Sequence, residues 1–530
     1  MDDTKKCLNM LKVLSLDMID ACKSGYPGIS LGASSVIYTL FTKELNIMPS
    51  NPKWLNRDRL VLSASHAAGL VYANMYMAGY NLTLDDLKKF GQFDSKTPLL
   101  SNMLKTEGID FTTGPAGYGF SGAVGMAMGE KYYQNLLSKY VKNQKLVNHY
   151  IYCLVSDGDI ESGLLMEAAS LAGLYNLGNL IVLYDSNEMT MDNTLAKSSV
   201  DDILKKFSAM GWQTDYVAEG SSIDKISKAI KRAKRVLNKP SFIEIKTVIG
   251  KDSFNQNTNI VHDHALTKDD LENVKRKYGM SIEKFAVDDK LLDKYRKNLL
   301  ARVSKSYKLW NEYHEAMAKY PNDEIKKLVS FADNQDIGYN LNAETFKIQN
   351  SYQEEMTESN SKIMNIIADK IPYLLGGASD MASSCRVNLN KEAYFTSKNY
   401  LGRNISFGLR EGAMASILSG MATYGFRPFG ATYLRYAYEE LESIKMNALM
   451  NLPVIYIFTH DGFNEARNGE VVSSFEVINM LRSIPGNYVY RPSDINEIIG
   501  CWSNILKTRK PSSLILSNEI THILKGTEAS

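Results

Sequence analysis

Asp157 and Asn187 are the pair in this chain whose types and spacing point most directly to chemistry. Asp157 sits in Ser156-Asp157-Gly158, at the end of the apolar run Tyr150-Ile-Tyr-Cys-Leu-Val155. Asn187 ends Asp185-Ser-Asn187, after a second apolar run, Asn179-Leu-Ile-Val-Leu-Tyr184. Both runs read as buried parallel strands. Between them Leu164, Leu165, Ala168, Leu171 and Ala172 recur at helical spacing, which predicts a helix over Ile160–Tyr175. In such a βαβ unit both polar residues emerge at the carboxyl ends of strands, where open α/β sheets place their ligands. One carboxylate and one amide oxygen suit a hard cation such as Mg²⁺ (or Ca²⁺), with phosphate and water completing the shell. The spacing therefore asks for a diphosphate-bearing cofactor held through a metal. The same residues fit equally well a helix cap at Asp157 and a turn at Asn187.

The elements that must position this pair belong to a chain of 530 residues, too long for one hydrophobic core. Residues 1 to 282 alternate helical and strand-like segments, with Ser241–Gly250 as a further strand candidate. From 283 to 350 the sequence is charged and helix-like, without strand signal, and reads as a linker over the outside of the protein. Alternation resumes over 351–530, with strand candidates at Leu374–Asp380, Pro453–Thr459, Tyr488–Tyr490 and Ser513–Leu516. Helices are expected at Gly412–Met421 and Glu439–Asn451. The fold class is therefore α/β, with two successive doubly wound parallel-sheet domains. Composition is that of an ordinary globular protein, 44% hydrophobic and 23% charged, with a net charge of +2. That balance gives no reason to expect a nucleic-acid or membrane partner. No apolar stretch approaches bilayer length, and the N-terminus lacks the apolar core of a signal peptide. Cys7, Cys22, Cys153, Cys385 and Cys501 are scattered and read as reduced core thiols of a cytoplasmic protein.

Ordered motifs on both sides of the pair carry a resemblance to the transketolase family of thiamine-diphosphate enzymes. Lys23-Ser-Gly-Tyr-Pro-Gly28 resembles KSGHPG, and Arg57–His66 is similar to RDRFVLSNGH. Thr112–Gly119 resembles TTGPLGQG, and Ser156 to Asn187 resembles the GDG…N cofactor signature. Further on, Phe407-Gly-Leu-Arg-Glu411 matches YGVRE, Thr459-His-Asp461 matches THD, and Leu514–Ser517 matches LILS. The resemblance implies the thiamine-diphosphate-binding fold, with a diphosphate-binding domain first and a pyrimidine-binding domain second. It implies thiamine diphosphate with Mg²⁺ bound by Asp157, Asn187 and the backbone carbonyl of Met189. Glu411 would be the carboxyl that hydrogen-bonds the aminopyrimidine ring and lets it take the proton that makes the cofactor a nucleophile. Tyr433 and Tyr436 fall where the family stacks aromatic rings on the pyrimidine. Gly114, Gly158 and Asp380 join the expected cofactor shell. His66 and His264 match family histidines near the reaction centre, although an alignment gap leaves His262 as an alternative. Glu167 matches a glutamate that links the cofactor sites of a homodimer, with the cofactor at the subunit interface. The family's usual third domain is expected to be absent.

The substrate equipment departs from the family pattern more than the cofactor equipment does. Tyr26, Leu100 and Val472 stand where the family carries substrate histidines, and Glu358 and Asn518 replace arginines that grip a sugar phosphate. Ser384 and His460 remain, and Arg386 or Arg467 offer themselves as compensating cations. Ser156 takes the first glycine of the signature and is expected to crowd its turn. The favoured expectation is transfer of a two-carbon ketol unit to an unusual, non-phosphorylated or nucleotide-linked sugar. A decarboxylative acyl transfer from a 2-oxo acid is a second reading, and a catalytically inactive binding subunit a third.

Overall fold

A computed structural model describes residues 2–139, 147–319, 353–462, 465, 469–472 and 474–527. The chain divides into two compact units, Met1–Glu130 with Val141–Lys319, and Lys131–Tyr140 with Tyr320–Ser530.

The first unit is built on a parallel sheet of β1 (Arg59–Leu62), β2 (Ile151–Ser156), β3 (Leu180–Ser186), β4 (Gln213–Val217) and β5 (Ser241–Lys246), in the order β1-β2-β3-β5-β4. β2 and β3 are buried along nearly their whole length, as continuous apolar runs in a two-sided sheet must be. The short β1 is pinned by charge. Asp58 accepts the amide protons of Asn46 and Tyr150, both at 2.8 Å. Asp110 takes Arg57 at 2.5 Å, Arg59 at 3.2 Å and the amide of Leu60 at 2.9 Å. The Arg-Asp-Arg triplet is thus a clamp holding β1 in register beside β2.

The helix expected over Ile160–Tyr175 is broken into a single turn, Asp157–Ile160, and the helix Gly163–Leu174. The stretch expected as an outer linker behaves differently as far as it is described. Asp289–Ala318 is one long helix, and Leu291, Leu292, Tyr295, Leu299 and Val303 are buried in the core of the first unit. That unit therefore runs to Lys319 rather than ending at 282. Residues 320–350 lie outside the described residues.

The second unit carries β6 (Gln353–Glu355), β7 (Leu374–Ala378), β8 (Asn404–Ser406), β9 (Arg427–Tyr433), β10 (Ile455–Thr459), β11 (Tyr488–Tyr490), β12 (Ser512–Ile515) and β13 (Ile520–His522). Its parallel sheet runs β11-β12-β10-β9-β7-β8, while β6 and β13 form a separate antiparallel pair. Two glycines let β7 fit between its neighbours. A Cβ on Gly376 would lie 1.9 Å from the carbonyl oxygen of Phe429, and one on Gly377 would lie 1.8 Å from that of Ile405. β8 and β9 were not among the sequence candidates. The expected helices appear as Glu411–Ala422 and Leu441–Met450, the latter preceded by a 3-10 segment, Leu434–Glu440. Among the described residues no helix is long and apolar enough to cross a membrane.

Candidate active site

In the first unit, the carboxyl ends of β1, β2 and β3 open onto a cavity of about 450 Å³. Its wall includes Ser63 to His66, Gly114, Gly158, Asn187, Met189 and His262. Asp157 begins the one-turn helix after β2 but does not cap it. Ser156 and Asp159 form that cap, the amide and hydroxyl of Ser156 donating to Asp159 Oδ2 at 3.1 and 3.2 Å. The carboxylate of Asp157 is turned instead toward β3. It accepts from Tyr184 Oη, from the Asn187 amide at 3.1 Å and from the Met189 amide at 3.3 Å. The pair expected from spacing is therefore brought together.

This edge has the charge of a cation site. Asp157 is fully buried, and burial pushes its carboxyl up to about 6 despite the hydrogen bonds that lower it. Asp185, which accepts from Asn187 Nδ2 at 3.2 Å, is pushed to about 7, first by burial, with the charge of Asp157 adding. Buried carboxylates in this condition gain strongly from a divalent cation. Among the described residues no three His, Cys, Asp or Glu side chains form a metal cluster. The set here is different in kind: one carboxylate, one amide oxygen and one backbone carbonyl, the hard oxygens that Mg²⁺ prefers. A Cβ built at Gly158 meets nothing within 4 Å, which leaves the approach from the cavity open. The residues fit a metal-bound diphosphate.

Asp159 was not singled out from the sequence, yet it organises this floor. Its Oδ1 accepts from Ser63 Oγ at 2.8 Å and from the Gly117 amide at 3.0 Å, while Oδ2 takes Ser156. One carboxylate thus ties the end of β1, the Thr112–Gly119 loop and the turn after β2. The visible signal was the Ser-x-x-Asp capping spacing. Ser156 does not crowd the turn, because its φ of −120° is ordinary extended backbone.

His66 and His262 stack with ring centroids 5.3 Å apart, and Tyr26 meets both edge-on, at 5.4 and 6.1 Å. Burial, with His262 adding, holds His66 down to about 3. Burial also lowers His262, against the opposing charge of Asp263. Both imidazoles are neutral at physiological pH, and Nδ1 of His262 is buried without a hydrogen-bond partner. A buried, unpaired ring nitrogen in a cavity wall is a group awaiting a ligand. His264 is not in this wall: its side chain is 75% exposed and pairs with Asp263 at 2.7 Å. Of the two histidines the resemblance leaves open, it is His262, not His264, that lies in the cavity wall. His262→Ala is expected to lower kcat/KM by roughly 10². His264→Ala should stay within about twofold of wild type, as surface substitutions do. Steady-state kinetics of the two variants decides, and the reverse ranking would overturn that choice. Glu167 lies half-buried on the helix Gly163–Leu174.

The second unit holds a candidate cluster of its own. Glu411 is the first residue of its helix, and Oε1 accepts from Ser379 Oγ at 3.0 Å and Thr432 Oγ1 at 3.5 Å. Both donors come from strand ends, Ser379 just after β7 and Thr432 within β9. Asp380 is exposed and adopts a positive φ of 61°, so it is Ser379 that reaches Glu411. Tyr433 lies 3.8 Å from the His460 ring and 6.2 Å from Tyr436, whose plane is within 23° of its own. Ser384 Oγ and Tyr433 Oη are 2.6 Å apart. The second unit thus presents a carboxyl held at the ends of β7 and β9 and a group of aromatic rings around Tyr433. Val472 lies in the short 3-10 turn Glu470–Val472, and Arg467 lies outside the described residues.

Known proteins match both units of the chain. The transketolase thiamine diphosphate binding domain matches residues 3–336, and the transketolase pyrimidine binding domain matches 353–522. The chain is 37% identical to the transketolase of Aquifex aeolicus over 517 residues, covering 97% of this chain and 74% of that one. It is 36% identical to the Bacillus subtilis transketolase, covering 97% and 77%. Transketolase from Leishmania mexicana superposes with a TM-score of 0.94 at 32% identity, covering 99% of this chain and 78% of that one. That of Campylobacter jejuni gives 0.89 at 31% identity, covering 99% and 80%. With both domain models matched and relatives of this identity covered over most of their length, the chain belongs to the transketolase family of thiamine-diphosphate-dependent transferases.

Proposed function

We propose that this transferase moves a ketol unit between sugars whose distal ends carry no phosphate. Bound thiamine diphosphate supplies the nucleophilic carbon and electron sink for breaking and forming the carbon–carbon bond. Asp157, Asn187 and the carbonyl of Met189 hold the metal, with Mg²⁺ the ion their oxygens suit. Gly114 and Gly158 leave the diphosphate room to approach. His66 and His262, kept neutral, are free to donate or accept a proton at the reaction centre. Glu411 hydrogen-bonds the pyrimidine, and Tyr433 and Tyr436 give it an aromatic face. Glu167 and a homodimeric assembly are carried over with this reading from the family resemblance.

The observation that carries the substrate class is the state of Arg386. Its guanidinium is already held by two carboxylates, Glu358 at 2.8 Å and Glu355 at 2.9 Å. A phosphate would have to displace both from a cation it would otherwise bind bidentately. Asn518 is likewise engaged, donating to Glu465 at 2.7 Å. The Pichia stipitis transketolase solved with sedoheptulose-7-phosphate shows a relative that does take a phosphorylated sugar.

The test compares kcat/KM for matched ketose donors with and without a terminal phosphate, while recording CO₂ release from 2-oxo acids. Unphosphorylated donors should be preferred, and Glu358→Arg should raise kcat/KM for the phosphorylated donor by about tenfold, some 1.4 kcal/mol. Preference for the phosphorylated donor in the unaltered protein would overturn the reading. So would CO₂ release without ketose cleavage.

A further inference from the structure

Asp185 has no part in the chemistry described above. It is next to last in β3, two residues before Asn187, and it is buried. Both its oxygens are taken by neighbouring side chains. Oδ1 accepts from Thr247 Oγ1, and Oδ2 accepts from Asn187 Nδ2 at 3.2 Å. Thr247 directly follows β5, and its own amide donates to the carbonyl of Ser186 at 3.0 Å, which ties it to the end of β3. A chain of hydrogen bonds therefore runs from the end of β5 through Thr247 and Asp185 to the Asn187 amide.

An asparagine amide keeps its shape through a half-turn, but the half-turn exchanges an acceptor for a donor. Only the oxygen can hold a cation such as Mg²⁺. Asp185 Oδ2 takes the nitrogen of Asn187, and that turns its oxygen the other way. There Oδ1 accepts from the Met189 amide at 3.1 Å, the same N–H that reaches Asp157 Oδ2 at 3.3 Å. Glu188, between them, has a φ of 65°, and this left-handed step lets the amides of Asn187 and Met189 face Asp157 together. The amide oxygen and a carboxylate oxygen of the cation edge thus share one N–H.

We propose that Asp185, itself held by Thr247, is a positioning residue for the metal, orienting the Asn187 amide so that its oxygen and not its nitrogen is presented to the cation. The proposal rests on the reading of Asp157 and Asn187 as metal ligands. Asp185 gives the cation no oxygen of its own and acts through Asn187. Partners that stand behind metal ligands in this way are typically worth roughly 10- to 100-fold in metal affinity. Asp185→Asn reverses the selection. With Thr247 still donating to its oxygen, the new amide turns its nitrogen toward Asn187 and draws the Asn187 oxygen away from the cation.

The test is a calorimetric titration of Mg²⁺ into the full chain at saturating thiamine diphosphate, beside thermal melts of the cofactor-free protein. Asp185→Asn should weaken Mg²⁺ binding by roughly 10- to 100-fold, while the cofactor-free variant melts no lower than wild type. Thr247→Val keeps every charge and releases the Asp185 carboxylate, so it should weaken Mg²⁺ binding by about fivefold, the scale of one hydrogen bond. It also carries the test alone should Asp185→Asn not fold. Unchanged Mg²⁺ affinity in Asp185→Asn overturns the proposal. So does wild-type affinity in Thr247→Val, which would leave lost charge as the whole effect, and so does a weaker affinity matched by a lower cofactor-free melting temperature, the mark of a merely structural role. Failure of the metal reading is separate: Asp157→Asn would then bind Mg²⁺ and cofactor as wild type does, whatever Asp185→Asn shows.

Discussion

Glu411→Gln is expected to lower turnover by roughly 10² to 10⁴, the usual scale for a positioned acid–base group, while cofactor affinity changes far less. The separation follows from what the side chain does. Its Oε1 is held by Ser379 Oγ at 3.0 Å, with Thr432 Oγ1 at 3.5 Å, so its position is set by the ends of β7 and β9. Glutamine keeps that shape and can still accept from Ser379. It cannot carry and return a proton, which is the property the cofactor's activation uses. On the proposed reading, diphosphate and metal are held by Asp157 and Asn187 and not by Glu411, so binding is expected to survive. Ser379→Ala removes only the positioning bond and should cost about tenfold, in line with a hydrogen bond to a charged group. Steady-state kinetics beside calorimetric titration with thiamine diphosphate and Mg²⁺ separates turnover from affinity. Full turnover in Glu411→Gln would remove Glu411 from its role.

What the sequence revealed depended on whether packing left a periodic trace. β2 and β3 were legible because both faces are buried, so every position is apolar. β1 was not, since it is only Arg59–Leu62 and its placement comes from ion pairs with the distant Asp110. β9 hides behind Pro428 and Gly430, residues that argue against a central strand, yet it pairs with both β7 and β10. The helix Asp289–Ala318 passed for a linker because its solvent face is densely charged. Its buried stripe, Leu291, Leu292, Tyr295, Leu299 and Val303, was nevertheless present at helical spacing. In the candidate site, the placement of Asp157, Asn187 and Glu411 was readable because they stand at strand and helix ends. His262 was harder to find, because a one-residue choice in a short loop decides which imidazole faces the cavity. Asp159 left only a short-range capping spacing, since its other partners, Ser63 and the Gly117 amide, lie far off in sequence.

Asp157→Asn should have opposite effects on the cofactor-free and the loaded protein. In the free protein, burial holds the Asp157 carboxyl at about 6, above the roughly 3.9 of an unfolded aspartate. A raised carboxyl means that the folded state binds more protons between those values, so stability falls as pH rises through about 4 to 6. Above that window the full penalty applies, on the order of 3 kcal/mol. Asparagine escapes it. The gain is reduced because the amides of Asn187 and Met189 both point at this side chain, and an Asn amide nitrogen cannot accept from either. The free variant is therefore expected to melt higher than wild type at pH 8, with the difference closing as pH approaches 4. With saturating Mg²⁺ and thiamine diphosphate the order reverses. Wild type gains stability in proportion to RT ln(1 + [L]/Kd), whereas the variant offers the metal no anionic oxygen at this position and gains almost nothing. Chelating the metal from loaded wild type should return it to the free protein's melting temperature. Thermal melts across pH, with and without metal and cofactor, test both halves, and wild-type cofactor affinity in Asp157→Asn would refute the metal assignment.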